Sequence, residues 1–130
     1  MIIDNFYHLI RNDKYMKQLS TWINQWKIDP IAIETLPRTG FVVDNIAALF
    51  VYETNSSLCF LDYLISNKEQ DKIKTNEAID ILVEHAIKYC HDEGYKFMIS
   101  NSKYETVVDR AKKHGFNVDE NQYRVFGRKI

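Results

Sequence analysis

Three strand patterns follow one another in residues 40–66, which read GFVVDNIAALFVYETNSSLCFLDYLIS. The short apolar run GFVV is separated from IAALFVYET by a turn at Asp44 and Asn45, and a second turn at residues 55–57 leads into LCFLDYLIS. Polar connections of two to four residues are too short for a parallel crossover, so these runs predict an antiparallel meander. Both longer runs are almost continuously apolar, which predicts central strands that are covered on both faces.

The clearest helix pattern in the chain follows, from Thr75 to Glu93. Its apolar stripe consists of Ile79, Leu82, Val83, Ala86, Ile87 and Cys90. Gly94 supplies a stop, and YKFMIS (95–100) is a predicted strand. The order strand, long helix, strand implies a right-handed parallel crossover, so we expect residues 95–100 to lie parallel to residues 58–65.

The two ends of the chain carry simpler patterns. From Asp4 to about Lys27, apolar residues at spacings of three and four predict two short helices, followed by a proline-containing connector with a short strand at residues 31–33. Residues 104–114 predict a helix that ends at Gly115, and QYRVFGRKI (122–130) predicts a final strand. The apolar residues of this helix that we expect to face inward are Val107, Val108 and Ala111.

The element order predicts a single α+β domain over residues 1–130, with a mixed sheet flanked by helices. The chain has 130 residues, of which 45% are hydrophobic and 27% charged, and its formal net charge is −1. This composition suits one globular domain and gives no strong field that would favour nucleic acid or membrane surfaces as partners. No apolar run approaches the roughly 20 residues that span a bilayer, and the N-terminus does not resemble a secretory signal.

The cysteine and histidine content points to a reducing compartment. Cys59 and Cys90 fall in a predicted strand and a predicted helix, where each is expected to pack as a small buried thiol. Two cysteines and four scattered histidines give no metal-ligand spacing. We therefore expect a cytoplasmic protein without a bound metal.

The loop at residues 66–74 lies where the antiparallel strands give way to the parallel strand. Ligands in open sheets bind beyond the carboxyl ends of strands at such a change of direction. The N-terminus of the long helix follows, and its free N–H groups and dipole favour an anion. The surrounding stretch, ISNKEQDKIKTNEAI (65–79), contains no glycine. The position therefore predicts an anion site that lacks the residue usual in phosphate-binding turns.

The element order and the segment ISNKEQDKIKT resemble the GCN5-related N-acetyltransferase family. In that family the turn after the fourth strand follows the pattern Gln/Arg-x-x-Gly-x-Gly/Ala. Gln70 matches the first position, Ile73 and Thr75 stand where the glycines belong, and Lys72 and Lys74 fall between. The cofactor motif is therefore degenerate in this chain.

Two further stretches extend the resemblance over residues 40–130. RAKKHGF at 110–116 is similar to the family's helix that ends in Gly-Phe before the last strands. The phrases LPRTGFVVDNIAALFVYET and LDYLISNKE resemble small acetyltransferase-like proteins carried by tailed bacteriophages.

The resemblance implies an acetyl-CoA-dependent enzyme that acetylates an amine of a small molecule or a protein. The pyrophosphate would lie against residues 70–76 and the pantetheine along the backbone of residues 64–66. The implied cofactor contacts are Leu64, Ile65, Ser66, Gln70, Lys72, Ile73, Lys74, Thr75 and Asn76.

The missing glycines change what the loop must do. Ile73 has to turn its side chain outward, and Thr75 has to cap the helix. Lys72 and Lys74 could then supply the charge that the backbone no longer provides. The structural alternative is that both lysines belong to a solvated loop and only Thr75 has a role, as the cap.

The resemblance implies less about catalysis. The family often places a tyrosine acid four residues before the helix-ending glycine, and that position is Ala111 here. Tyr104 and Tyr63 are the substitutes. As the base, Asp62 in its apolar strand ranks ahead of Glu53, because a carboxylate buried among apolar groups can hold a proton near neutral pH.

Two alternatives stay open. The structural alternative is that Asp62 pairs with a basic residue or marks a bulge and that Tyr63 belongs to the core. The functional alternative is a chain that keeps the fold without transfer activity and acts as a phage protein that binds a host factor in the host cytoplasm.

Overall fold

The computed structural model describes residues 1–5, 13–28, 35–121 and 124–130. The elements in chain order are β1 (Ile3–Asn5), α1 (Asp13–Gln25), β2 (Thr39–Val43), β3 (Ala47–Tyr52), β4 (Leu58–Ser66), α2 (Lys72–Asp92), β5 (Phe97–Ile99) and α3 (Glu105–Lys113). Residues 1–100 form one compact unit and residues 101–130 a second. That the whole chain forms one domain stays a prediction.

The first unit contains a five-stranded sheet in the order β1-β2-β3-β4-β5. Strands β1 to β4 are antiparallel neighbours, and β5 lies parallel to β4 with Leu58 opposite Phe97. Short polar turns join β2, β3 and β4, whereas the 21-residue helix α2 carries the chain over to β5. The predicted antiparallel meander and the parallel crossover are therefore both confirmed.

Helix α2 covers one face of this sheet, chiefly β3, β2 and β4. Its buried residues are Ala78, Ile79, Leu82, Val83, Ala86 and Cys90. The ring of Phe41 on β2 packs edge-on against His85 at 4.6 Å and Tyr89 at 5.4 Å between centroids. Five of the six residues of the predicted stripe are therefore buried on the sheet; Ile87 is half-buried, and Ala78 is buried without having been predicted.

Helix α1 covers part of the opposite face. Its buried side chains Tyr15, Leu19, Trp22 and Ile23 share a cluster with Leu36, Val42, Ala48, Phe50 and Ile65. The Tyr15 hydroxyl donates to Asp4 Oδ2 at 2.9 Å, and Lys14 Nζ lies 2.6 Å from Asp44 Oδ2. These polar contacts tie α1 to β1 and to the turn after β2.

The predictions at the N-terminal end are partly wrong. Residues 3–5 form a strand instead of continuing the helix pattern, because Ile3 pairs with Val43 at the edge of the sheet. A three-residue strand obtains its hydrogen bonds from the neighbouring strand, so its own sequence carries little signal. The rest of the first predicted helix, residues 6–12, and the strand predicted at residues 31–33 lie outside the described residues.

The predictions near the C-terminus also need correction. Residues 124–130 form no strand, and Val125 and Phe126 are 91% and 94% exposed. Helix α3 forms close to its predicted bounds; Val107 is exposed, whereas Val108 and Ala111 are half-buried, so the inward face expected for these residues stays a prediction. The remainder of the predicted final strand, residues 122–123, is not described.

The expectation that both longer strands are covered on both faces holds for only one of them. In β3 the five residues Ala47–Val51 are buried. In β4 the side chains of Phe60 and Asp62 are exposed. The apolar composition of β4 therefore does not reflect two covered faces.

Among the described residues, no helix is both long enough and apolar enough to cross a membrane.

Substituting Leu82 with alanine tests the packing of α2. Leu82 is completely buried, so we expect the free energy of unfolding to fall by about 2–5 kcal/mol through lost transfer energy and a residual cavity. Ile81, its neighbour on the same helix, is 37% exposed, and Ile81→Ala should cost less than about 1 kcal/mol. Urea denaturation of both variants measures the difference. Equal losses would contradict the assigned face of α2.

Candidate functional site

A bulge interrupts β4 beside the predicted site. Ala48 pairs with Ile65 and Phe50 pairs with Asp62, so Tyr63 and Leu64 together face the single residue between Ala48 and Phe50. Tyr63 has a φ of +56°, a left-handed conformation that is uncommon for a non-glycine residue. Its N–H donates to Asp62 Oδ1 at 2.7 Å. Of the structural alternatives for Asp62, the bulge is the one that the structure contains.

The bulge changes which face of the sheet the side chains of β4 meet. Asp62 lies opposite Phe50, and directly opposed residues point to the same face, here the face covered by α1. Tyr63 also packs against the α1 cluster, with its ring 6.0 Å from that of Phe50. Two consecutive side chains, a carboxylate and a phenol, therefore lie on the same face.

The pairing between β4 and β5 stops early. It runs from Leu58 opposite Phe97 to Phe60 opposite Ile99, so residues 61–66 of β4 extend past the end of β5. Within the described residues, no strand pairs with this part of β4 on that side. On that side, the stretch of β4 without a strand partner includes Leu64, Ile65 and Ser66, where the sequence predicts the pantetheine. The carbonyl of Ser66 already accepts the Trp26 indole N–H at 2.7 Å, which leaves one of its lone pairs for another donor.

The loop that follows closes on itself through its own side chains. Gln25 Oε1 accepts the Lys68 N–H at 2.9 Å, and Asn67 Oδ1 accepts the Glu69 N–H at 3.1 Å. Further backbone N–H groups with acceptors inside the chain are those of Gln70, Asp71, Lys74 and Thr75. An anion would therefore meet few free amides here. Across the described residues, those of Lys72 and Ile73 have no such acceptor.

The helix after the loop begins three residues before its predicted start, at Lys72. Asp71 is the N-cap, because its carboxylate accepts the Lys74 N–H at 3.0 Å. Thr75 lies inside the first turn, where its hydroxyl donates to the Asp71 carbonyl at 2.9 Å. The expectation that Thr75 caps the helix is therefore wrong. Ile73 is 69% exposed, so its side chain is turned outward as the missing glycine requires.

This geometry decides how acetyl-CoA would fit. On the β5 side, residues 61–66 of β4 have no strand partner among the described residues, so backbone groups of this stretch are left for an extended pantetheine arm. A pyrophosphate at the helix N-terminus would meet the Asp71 carboxylate, with most of the amides occupied. Lys72 and Lys74 are exposed in the first turn and can supply positive charge there. The residues therefore fit the cofactor if lysine side chains take over the part that glycine amides have in the family pattern.

Within the first unit, the two candidate bases, Asp62 and Glu53, are not brought together. Glu53 follows the end of β3, where its carboxylate accepts hydrogen bonds from Thr39, from Tyr89 at 3.3 Å and from Tyr95 at 3.4 Å. Tyr89 belongs to α2, so Glu53 lies on the α2 side, whereas Asp62 lies on the α1 face. Tyr104 is the N-cap residue of α3 in the second unit and is 61% exposed.

Asp62 is exposed, so the burial on which its assignment as a base rested is absent. Its carboxylate forms no ion pair with any cation in the described part of the chain. The hydroxyl of Tyr63 is buried and lacks a hydrogen-bond partner among the described residues. Burial, and to a lesser degree the nearby Tyr52, raises the pKa of Tyr63, which keeps this hydroxyl protonated.

The roles of Gln25 and Asp71 in closing the loop were not predicted from the sequence. Asp71 is a residue type that is common at the N-cap of a helix. The helix was nevertheless predicted to begin at Thr75, because its apolar stripe begins only at Ile79. Gln25 carries no local signal, because the Lys68 N–H that it binds is 43 residues away. No group of three or more potential metal ligands occurs among the described residues.

No protein-family model matches the sequence, and no curated protein does. Solved structures do match. An aminoglycoside acetyltransferase from an uncultured soil metagenomic sample, in complex with sisomicin, has a TM-score of 0.73 at 9% identity, covering 99% of this chain and 96% of that chain. An acetyltransferase of the GCN5-related family from Streptococcus pneumoniae has a TM-score of 0.62 at 13% identity, with coverages of 88% and 92%.

A further match is an aminoglycoside N-acetyltransferase in complex with CoA, with a TM-score of 0.52, 14% identity and 99% coverage of both chains. Together these structures show that the chain has the fold of GCN5-related N-acetyltransferases. The fold expected from the sequence resemblance is thereby confirmed.

Substituting Asp71 with alanine tests the loop geometry. Alanine cannot accept the Lys74 N–H, so we expect the free energy of unfolding to fall by about 1 kcal/mol. Thr75→Val keeps the shape of the side chain and removes only its bond to the Asp71 carbonyl, so it should cost less than about 0.5 kcal/mol. Urea denaturation followed by circular dichroism measures both. A larger loss for Thr75→Val would restore Thr75 as the cap.

Proposed function

We propose that the chain is an N-acetyltransferase that binds acetyl-CoA along residues 61–66 of β4, the stretch that extends past β5, and acetylates a primary amine. The bulge at Tyr63 and the early end of the β4–β5 pairing carry this proposal. They leave an open strand edge that leads to the start of α2, in a chain with the acetyltransferase fold. The neighbour in complex with CoA and the neighbour in complex with sisomicin support this choice of cofactor and of substrate class.

Residues of this chain would hold the cofactor at two places. The backbone of Leu64, Ile65 and Ser66 pairs with the amides of the pantetheine arm, in the manner of an added strand. The ammonium groups of Lys72 and Lys74 neutralise the pyrophosphate, assisted by the free amides at the start of α2. When bound, acetyl-CoA supplies a thioester whose carbonyl carbon accepts the amine.

Acetyl transfer requires that the amine loses a proton and that the leaving thiolate gains one. The amine nitrogen bonds to the acetyl carbon as the carbon–sulfur bond breaks; the amine gives up a proton, and the leaving thiolate takes one up. Asp62 on the α1 face orients the incoming amine and assists the removal of its proton. The thiolate takes its proton from water, because the Tyr63 hydroxyl is buried and its raised pKa makes it a weaker acid than a free phenol. Glu53 is engaged in three hydrogen bonds on the other side of the sheet and is left out of this assignment.

That the chain is a bacteriophage protein, and that it works in the host cytoplasm, stay predictions of the sequence resemblance. So does the alternative of an inactive member of the fold that binds a host factor. Wild-type protein that binds no acetyl-CoA in calorimetry and acetylates no amine would support that alternative.

Charge reversal in the first turn of α2 tests the cofactor site. The double variant Lys72→Glu and Lys74→Glu should weaken acetyl-CoA binding by about 1–3 kcal/mol, the scale of charged hydrogen bonds that are lost. A matched control is Lys17→Glu with Lys96→Glu, which changes the net charge equally at exposed positions on α1 and before β5. Isothermal titration calorimetry measures all three proteins. Equal affinities of both double variants would mean that Lys72 and Lys74 are only solvated.

Asp62→Asn tests the base. The amide oxygen can still accept the Tyr63 N–H, so the bulge and the melting temperature should be retained while the carboxylate is lost. We expect turnover to fall by about 10²–10⁴-fold with acetyl-CoA affinity unchanged. Release of free thiol from acetyl-CoA, measured with an amine panel, reports turnover. Full activity with a lowered melting temperature would assign Asp62 to the bulge alone.

A further inference from the structure

Part of the α1 face of the sheet is exposed in the described residues of the first unit. Residues opposite one another across the strands point to the same face, which places Tyr52, Phe60 and Ile99 in one row across β3, β4 and β5. Phe97, two residues before Ile99, lies on the same face. We call these four residues, Tyr52, Phe60, Phe97 and Ile99, the apolar floor.

Three of the four residues of the apolar floor are exposed, whereas residues of the same face beneath α1 are buried. Phe60 is 39% exposed, Phe97 69% and Ile99 48%. Ala48 and Phe50, on the same face beneath α1, are 1% and 0% exposed. Large apolar side chains that cluster at the surface in this way mark binding surfaces more often than singly scattered ones.

The carboxylate of Asp62 borders the apolar floor. Asp62 is two residues from Phe60 on the same strand and face, a separation of roughly 7 Å. It is close enough to Tyr52 that, after burial, its charge is the second cause of the raised pKa of that phenol. Asp62 has no ion-pair partner in the described residues, so its negative charge is available to a ligand.

We propose that Asp62 and the apolar floor form an acceptor subsite for a small aralkylamine, a molecule with one primary ammonium joined to an aromatic ring by a short alkyl chain. This inference rests on the proposed acetyl transfer and names its substrate class. The ammonium pairs with Asp62, and the ring lies on Phe60 and Ile99. The amine is thereby held beside the stretch of β4 that extends past β5, where acetyl-CoA would present its thioester.

The same geometry disfavours a polycation. An aminoglycoside such as sisomicin carries several ammonium groups on a hydroxylated body. The described part of this surface offers one carboxylate, so the other ammonium and hydroxyl groups would be desolvated against apolar side chains without partners. The subsite therefore selects for an apolar body, in contrast to the ligand of the neighbour that binds sisomicin.

The test is a binding titration of the full-length protein without acetyl-CoA, followed by protein NMR. The probes are phenethylamine, ethylamine without the ring, 2-phenylethanol without the charge, and sisomicin. We expect phenethylamine to bind at least about 10-fold more tightly than each of the others, because only it satisfies both parts of the subsite. Its chemical-shift changes should centre on Phe60, Asp62 and Ile99. Tighter binding of sisomicin, or of 2-phenylethanol, would overturn the proposal.

Two variants with a matched control locate the subsite. Ile99→Thr keeps a β-branched residue in the strand and should weaken phenethylamine binding about 3- to 10-fold. Asp62→Asn should weaken it about 10- to 100-fold. The control is Ile81→Thr, an exposed isoleucine on α2, which should leave the affinity unchanged. Equal effects at Ile99 and Ile81 would contradict the assigned surface.

Failure of this inference and failure of acetyl transfer give different results. Phenethylamine binding that responds to Ile99→Thr, without any turnover, would retain the subsite and remove the enzyme. Thiol release with sisomicin but not with phenethylamine would retain the enzyme and overturn the aralkylamine subsite.

Discussion

Between Asp62 and Ile65, β4 contains one more residue than the stretch of β3 that it pairs with, and both cores of the first unit depend on this bulge. Before it, Cys59 and Leu61 are buried on the side of α2; after it, Ile65 is buried with Ala48 in the cluster beneath α1. A regular strand would turn Ile65 to the opposite face. The left-handed conformation of Tyr63 is unfavourable in itself, and the hydrogen bond to Asp62 Oδ1 offsets part of that cost.

The loop before α2 shows how a phosphate-binding position can be stable without glycine. Oxygen atoms of Gln25, Asn67 and Asp71 accept hydrogen bonds from backbone N–H groups that would otherwise be free to bind a ligand. The loop is therefore ordered by its own chain, and Asn67 also donates to the carbonyl of Asn45 in the turn after β2. An anion near this helix start is therefore repelled by the Asp71 carboxylate and has to be attracted by the side chains of Lys72 and Lys74.

The uneven covering of the sheet separates structural from functional positions. Where α1 lies over β2 and β3, the side chains are packed and the surface is closed. Towards β5, the same face presents apolar side chains and the carboxylate of Asp62, which has no ion-pair partner among the described residues. A core would not tolerate such a group, but a binding surface can use it. Glu53 illustrates the opposite case, because its hydrogen bonds to Thr39, Tyr89 and Tyr95 join β2, β3 and the end of α2.

Local patterns in the sequence determined the meander of β2 to β4, the apolar stripe of α2 and the parallel β5, because turn length and residue periodicity act over a few neighbouring residues. They also singled out Asp62, Tyr63 and the loop before α2. Only the tertiary structure decided that Gln25 closes the loop before α2, that residues 3–5 form a strand, and that Glu53 lies on the opposite face from Asp62. Each of these depends on partners distant in sequence or on how the strands are paired. The exposure of Phe60 in an apolar strand has the same origin, since a sequence specifies which residues can be buried, whereas the placement of α1 decides which of them are.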